Sequence, residues 1–385
     1  MPGLPPLQVF HEVPVVPVQS VAQHIAFGGP IWPDFDQQVA PRHCRDRLPV
    51  DRCPKGQEGA VALNEPAIWG GYLNPQFGHL IVEQLTRLPQ SLAERPGDPV
   101  LFTLPPGGTA QGVPGWVWQL SDWHGLPRDR VRLVDRALVA ATLHVAAQGE
   151  MMGKSVTSPA YLDLLDRNTA RQALVADRSD VVFVTRAGMV AQGQGGHAGE
   201  AYLADALRRA GVRVIDPAQM PVRQQLEIYA GAGVLVFSEG SAIHGRLLLG
   251  RIAQSIHVLR RRPNRDLAAE QLAPRCDTVQ YHAAVGHRLG ARMPGGGNRL
   301  DLTAALYDLD VIFGLFAHLG HDPRPYWDDA AYRTAVVADL RGWLSTRRTD
   351  ADQTLANLDL IKQAGFSLDE PFTLPPRAPQ LHRAL

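Results

Sequence analysis

The sequence predicts an α/β protein: two strand–helix units followed by a mostly helical end. Three observations carry this. Short apolar runs such as "PVLFTLP" (99–105), "DVVFVTR" (180–186) and "VLVFSEG" (234–240) alternate with stretches of helical periodicity, the pattern of parallel strands joined by crossover helices. The alternation is densest between residues 180 and 260, as in a doubly wound sheet. The chain has 385 residues, more than one ordinary core holds, and its 45% hydrophobic and 20% charged content fits globular units. The expected division is an N-terminal α/β unit over 1–170, a C-terminal α/β unit over 171–290 and a helical extension over 291–385, with a hinge near 150–180.

Taken in order, the first 60 residues are Pro-rich with short alternations such as "LQVFHEV", which read as edge strands and loops. "AIWGGYL" (67–73) reads as a strand or turn. From Phe77 the residues Leu80, Ile81, Leu85 and Leu88 keep helical spacing, and the helix is expected to end near Pro89. "PVLFTLP" is a buried strand, and "GWVWQLSDWHGLPRDRVRLVD" gives helix, loop and strand. "SPAYLDLLDRNTARQALVA" is a helix with Ser158 as N-cap and Pro159 in the first turn.

In the second unit "DVVFVTR" is a strand and "GHAGEAYLADALRRAG" a helix closed by Gly211. "VRVIDP" is a strand, "PVRQQLEIYAGAG" a helix, "VLVFSEG" a strand, "SAIHGRLLLGRI" a helix and "QSIHVLRR" a strand. Gly295 to Gly297 mark a loop. Beyond Leu300, "LYDLDVIFGLFAHLG", "AAYRTAVVADLRGWLS" and "DQTLANLDLIKQAGF" read as helices before a Pro-rich tail.

Composition excludes several classes. Lys+Arg and Asp+Glu number 38 each, so nothing favours broad attraction to nucleic acid or membrane. The basic run "RRRP" (Arg260–Pro263) reads as a solvated turn after a strand. Three cysteines, Cys44, Cys53 and Cys276, are too few and too odd for a disulfide framework and fit a reducing compartment. Cys44 and Cys53 beside His43 match no familiar zinc spacing, and ordinary packing is the stronger reading. The N-terminus lacks a basic start and an unbroken apolar run. No window is apolar over the about 18 residues that a membrane span requires. A cytoplasmic protein, at most peripheral to a membrane, is the expectation.

The most informative stretch is "VLVFSEGSAIHG" (Val234–Gly245), where a buried strand runs into Ser238, Glu239, Gly240 and Ser241, with His244 close behind. A helix N-terminus there presents unpaired N–H groups to an anion, Gly240 admits a ligand to the backbone, and Ser238 and Ser241 offer hydroxyls. Small capping residues are also common at any strand-to-helix turn, so the local pattern leaves both readings open. The stretch is not a P-loop, and "GQGGHAGE" (193–200) lacks the G-x-G-x-x-G spacing of a dinucleotide fingerprint. Arg186 ends the strand "DVVFVTR", a position suited to bidentate diphosphate binding. His79, Glu83 and Arg87 share one helical face. A carboxylate one turn from an imidazole fixes its tautomer and raises its basicity, which a general base needs.

These pieces in this order resemble the family 61 glycosyltransferases, in particular bacterial capsular-polysaccharide-type members. "GGYLNPQFGHLIVEQLTRL" is similar to the family's Gly-rich turn and His-x-x-x-Glu, "FVTRAG" to its strand-ending Arg, and "GEAYLADALRRAGVRVIDPAQMPVRQQLEIYAGAGVLVFSEGSAIHG" to its long block. The resemblance covers roughly 60–260. In place of the second Arg and Asn that many members carry before the helix acid, this chain has "MVAQGQGGHAGE", so only Glu200 matches.

The resemblance implies two Rossmann-like domains facing a cleft (GT-B type). It implies a nucleotide-sugar donor on the C-terminal unit, a glycan or other hydroxyl acceptor on the N-terminal unit, and inversion without an obligatory metal or cofactor. His79 is then the first candidate for the base, oriented by Glu83, with Glu239 second. Arg186, Ser238, Gly240, Ser241 and His244 are assigned to the donor, with Glu200 and Gln225 as further pocket members. A non-catalytic sugar- or nucleotide-binding protein on the same fold is the alternative. A nicotinamide oxidoreductase is a third reading, opposed by the imperfect Gly fingerprint. The helical end either packs across both units or mediates self-association.

Overall fold

The computed structural model describes residues 3–22, 25–56, 58–153, 157–176, 179–263, 265–290, 299–346 and 351–368. The loop expected at Gly295–Gly297 and the Pro-rich tail lie outside the described residues.

The first unit holds β1 (Gln8–Ala22), β2 (Ile25–Pro30), a hairpin of β3 (Cys44–Arg45) and β4 (Leu48–Pro49), β5 (Asp51–Arg52), β6 (Val61–Leu63), β7 (Ala67–Tyr72), β8 (Val100–Thr103), β9 (Val131–Val134) and β10 (Leu138–Val145). Its eight-stranded sheet runs β5-β2-β1-β10-β7-β8-β9, with β6 also on β10. The core of this sheet, β10-β7-β8-β9, is parallel, whereas β1 pairs antiparallel with both β10 and β2. The N-terminal segment is therefore not an edge. Val13, Val15, Val16 and Val18 are buried, and the prolines of β1 that suggested an edge sit in a long interior strand with a register shift between Val16 and Ser20.

The helix after β7 is longer than expected and is not uniform. It begins as α1 (Phe77–His79), passes through a π turn at Leu80–Gln84 and a 3₁₀ turn at Leu85–Arg87, and continues as α2 (Leu88–Glu94). Pro89 falls in the first turn of α2, where its missing N–H has no role to lose, so it does not stop the chain there. In the π turn the N–H of Leu85 reaches back to the carbonyl of Leu80, and the extra residue per turn alters which side chains face the sheet. Helix α3 (Gly115–His124) ends on Gly125 in the left-handed region, and α4 (Pro159–Arg171) is capped by Ser158, which accepts from the N–H of Tyr161.

The second unit is a five-stranded, wholly parallel sheet. It comprises β11 (Ser179–Val184), then, past the short β12 (Gly196–His197), β13 (Arg213–Ile215), β14 (Ala232–Ser238), β15 (Ser255–Leu259) and β16 (Thr278–His282), in the order β13-β11-β14-β15-β16. Strand order reverses between β11 and β14, which makes their carboxyl ends the topological switch point. The crossover helices are α5 (Glu200–Arg209), α6 (Val222–Gly231), α7 (Ile243–Arg246) and α8 (Ala269–Leu272). Only one turn, α7, forms in "SAIHGRLLLGRI", so the expected helix dipole behind the β14 turn is largely absent.

The C-terminal part is not purely helical. β12 and β17 (Val285–Leu289) flank β18 (Ala304–Tyr307) in a small third sheet, so Leu306 and Tyr307, expected in a helix, are strand. Helices α9 (Leu309–His318), α10 (Asp329–Ser345) and α11 (Ala351–Gln363) follow. The two main sheets share apolar packing: Ile68, Leu80 and Phe102 of the first unit belong to one continuous buried cluster with Val182, Leu235 and Phe237 of the second. A buried ion pair, Arg275 with Glu150, and a bond from the Gln271 amide to the Met151 carbonyl tie the connecting loop to the second unit. Among the described residues no helix is long and apolar enough to cross a membrane.

Candidate active site

A cleft of about 580 Å³ lies at the carboxyl ends of β11, β13 and β14. Thr185, Arg186 and Met189 line it after β11, Asp216 to Val222 after β13, Gln225 from α6, and Ser241 and Ala242 after β14. Phe77 and Trp116 of the first unit close one side, edge to face at 5.5 Å. Gln119 crosses between units by accepting from the N–H of Val222 at 2.7 Å.

Arg186 is the cation of this cleft. Its Nη2 donates to the Gly195 carbonyl at 3.0 Å, its Nε is buried without a partner, and it makes no ion pair among the described residues. Burial lowers its pKa, offset in part by Glu200. The guanidinium lies directly on Gly240: a Cβ there would stand 2.6 Å from Arg186 Cζ. The Arg at the end of one strand and the small-residue turn at the end of its neighbour therefore meet. Gly240→Ala is expected to displace the guanidinium without changing its charge, and so to weaken binding of an anion such as pyrophosphate at the cleft at least about tenfold, the equivalent of one charge-assisted hydrogen bond. Titration calorimetry measures it.

The acids expected near a ligand are engaged internally. Glu200 is fully buried and accepts from the Thr185 hydroxyl (2.7 Å), the Arg186 N–H (2.6 Å) and the Ser238 hydroxyl (2.9 Å). Glu200 and Ser238, assigned to the donor, instead clamp the ends of β11 and β14 from behind, because burial turns the carboxylate onto those donors, with His197 Nδ1 a further 4.0 Å from Oε2. Glu239, the second candidate base, is also fully buried: Oε2 accepts from the N–H groups of Arg261 (2.7 Å) and Arg262 (3.0 Å), and Oε1 from Arg262 Nε (2.6 Å). It holds the β15 turn and has no open face for a substrate proton. The "RRRP" run is correspondingly not a solvated turn: Arg261 is 4% exposed and burial pulls its pKa down to about 10.

The pKa of Glu200 is raised, by burial above all. Its folded form thus holds a proton that the unfolded chain releases near about pH 4.3. Stability therefore falls as pH rises from there through the raised native value. Glu200→Gln is expected to remove that slope, as read from urea midpoints across a pH series.

Gln225 donates from Nε2 to the carbonyls of Pro217 (2.8 Å) and Met220 (3.1 Å), bracing the loop after β13, while its Oε1 is buried without a partner at the cleft. His244 does not line the cleft. It is 4% exposed, burial pulls its pKa down to about 3, and its ring lies against Gly78, where a Cβ would stand 2.5 Å from His244 Cδ2 and 3.4 Å from Ser241 Cβ. That contact docks the α1 turn onto the β14 turn.

His79 stands one residue further along α1. Its Nδ1 is 3.1 Å from Glu83 Oε2, across the start of the π turn. Nδ1 also lies 3.4 Å from Arg45 Nη2, which only donates; the shorter contact, to a carboxylate that only accepts, assigns the proton to Nδ1 and the lone pair to Nε2. Burial alone would raise the Glu83 pKa, but the imidazoles of His43, 3.7 Å from Oε2, and His79 outweigh it and hold the carboxyl well below the usual range. Arg45 adds a bond from Nε to Glu83 Oε1 at 2.7 Å. The third residue of the sequence pattern, Arg87, is buried and donates to the carbonyls of Ala146, Arg42 and Pro41, so it is structural.

Sequence reasoning missed His43, Arg45 and Arg262. The first two reach Glu83 from the β3 hairpin, some forty residues upstream, and no local pattern announces them. Arg262 had a signal, a basic run at the end of the strand next to β14. Cys44 is buried among the Val39 and Arg42 carbonyls, and among the described residues no three His, Cys, Asp or Glu side chains group as a metal site.

Residues 77–251 match the family model Glycosyltransferase 61. The match supports membership of family 61 and points to a glycosyltransferase, an enzyme that needs a sugar donor and an acceptor. It begins on Phe77 at the cleft wall and ends just past α7. His79, Glu83, Arg186 and the β14 turn therefore fall inside the glycosyltransferase 61 segment. Arg261, Arg262, strands β1 to β7 and the C-terminal helices fall outside it. No curated protein matches the chain.

Proposed function

We propose that the protein is an inverting glycosyltransferase that moves a sugar from a nucleotide-sugar to a hydroxyl acceptor, with the units over 1–170 and 171–290 facing the cleft in the GT-B manner. The observation that carries this is Arg186, a cation without an ion-pair partner among the described residues, seated on Gly240 beside Ser241 at the switch point of a parallel sheet. The donor diphosphate meets Arg186 and the Ser241 hydroxyl, which offset the charge of the leaving group without an obligatory metal or cofactor. Asp216, at the cleft end of β13, accepts from ribose hydroxyls, and the unpartnered Gln225 Oε1 accepts an N–H from the base.

His79 Nε2 takes the proton from the acceptor hydroxyl. The acceptor oxygen attacks the anomeric carbon from the face opposite the diphosphate, and the breaking C–O bond leaves its electron pair on phosphate. Ionised Glu83 stabilises the imidazolium that forms. The resemblance to capsular-polysaccharide enzymes supports a role in polysaccharide biosynthesis, and the sparse cysteines fit the cytoplasm, with any membrane association peripheral.

The test is a thermal-shift screen against UDP-, GDP-, CMP- and dTDP-sugars, followed by product analysis with hydroxyl acceptors, since a ligand that binds only the folded form raises its melting point. A stabilising nucleotide-sugar whose sugar appears on an acceptor with inverted configuration supports the reading. Stabilisation without transfer or hydrolysis supports the non-catalytic alternative, and no stabilisation by any of the four classes overturns both.

A further inference from the structure

A second cavity, of about 210 Å³, opens at the carboxyl ends of β7 and β8 in the first unit. Trp69 and Tyr72 both line it, although three residues apart on a strand they should point to opposite faces. A register shift between Trp69 and Gly71 inserts one residue and returns Tyr72 to the Trp69 side. Gln84 holds the bulge: its Oε1 accepts from the Tyr72 N–H at 3.0 Å, and Gly71, at φ +114°, leaves room for it. Thr103 pairs with Tyr72 across the strands and lines the same cavity, and its buried hydroxyl has no partner. Two aromatic rings and an unpartnered hydroxyl converge on one small space.

The charges of the lining select the occupant. Asp51 and Glu83 are acids, already held by Arg42 and Arg45. The one arginine of the lining, Arg87, spends its guanidinium on backbone carbonyls. Among the described residues of the lining a phosphate or carboxylate finds no free arginine or lysine, whereas a neutral sugar offers C–H faces to the rings and hydroxyls to Thr103 and the acids.

We infer that this cavity binds one neutral sugar ring of the acceptor, with Tyr72 and Thr103 as its specificity-determining residues. Its role in transfer rests on the glycosyltransferase reading. The geometry favours that role because one distorted helix links the two sites. Phe77 lines the donor cleft, His79 bonds Glu83, and Glu83 and Gln84 line this cavity.

The test is calorimetry and saturation-transfer NMR with methyl glycosides of glucose, galactose, mannose, xylose, N-acetylglucosamine and glucuronic acid, alongside nucleotide-sugar titrations. At least one neutral glycoside is expected to bind, the glucuronide at least tenfold more weakly. Tyr72→Ala is expected to reduce glycoside affinity at least tenfold and Thr103→Val at least threefold, with nucleotide-sugar affinity unchanged. Val21, 43% exposed at the cavity wall, gives a blocking variant outside the core, and Val21→Trp should abolish glycoside binding even if Tyr72→Ala does not fold. Absence of glycoside binding, indifference to Val21→Trp, or equal binding of the glucuronide overturns the inference. Glycoside binding in a protein that binds no nucleotide-sugar would keep this site and remove the transferase reading. Donor turnover without glycoside binding does the reverse.

Discussion

Replacing His79 with Ala is expected to lower kcat by about 10²–10⁴-fold, the range associated with loss of a positioned general base, while the KM for the nucleotide-sugar changes little. The reason is geometric. Glu83 is buried and holds its negative charge beside a hydrogen-bonded His79, the nearby His43 imidazole and a salt bridge from Arg45. A fixed carboxylate on Nδ1 makes Nε2 the proton acceptor and stabilises the imidazolium as it forms. Glu83→Gln should lower kcat by less, since the amide still orients the ring but no longer stabilises its cation. Steady-state kinetics read both effects. A purely structural His79 would lower the melting temperature and leave kcat of the folded protein intact.

Arg186→Ala is expected to reduce kcat/KM for the donor by about 10²–10³-fold, the cost of removing a preorganised charge from a developing oxyanion, and to lower nucleotide-sugar affinity in calorimetry. Arg186→Lys should recover little of this, because a single ammonium cannot form the forked pair and is a stronger competitor for water. The Gly195 carbonyl and Gly240 locate the guanidinium, so Gly240→Ala and Arg186→Ala act on one unit and their effects should not add. Unchanged nucleotide-sugar affinity in Arg186→Ala would remove the donor site from this cleft.

The two units differ in how openly the sequence announced them. Four of the second sheet's five strands were legible, because buried parallel strands are continuous apolar runs; the half-exposed edge strand β16 was not, and the helix read over 241–252 is a single turn. In the first sheet β7, β8 and β9 were legible and the N-terminal strand was not. β1 contains prolines and alternates like an edge, yet it pairs on both sides, and that pairing is a long-range choice. Helix α1 and its π turn kept helical spacing closely enough to be read, but not the extra residue that turns Glu83 and Gln84 toward the first sheet. Chemical type was equally ambiguous for the acids. Glu200, Glu239 and Glu83 look alike in the sequence, and only their buried partners separate two structural clamps from the carboxylate that bonds His79.

By itself the sequence determined the α/β class, the doubly wound second sheet, the placing of Arg186 and the β14 turn at strand ends, and the His79–Glu83 spacing, because each depends on period and on residues close in the chain. Tertiary structure alone decided that Arg186 rests on Gly240, that Glu200 and Glu239 are consumed internally, that His43 and Arg45 arrive from a distant hairpin, and that a bulge aims Tyr72 beside Trp69. Those outcomes depend on which buried polar groups can find partners once the sheets pack, and partner choice across tens of residues leaves no periodic trace in the chain.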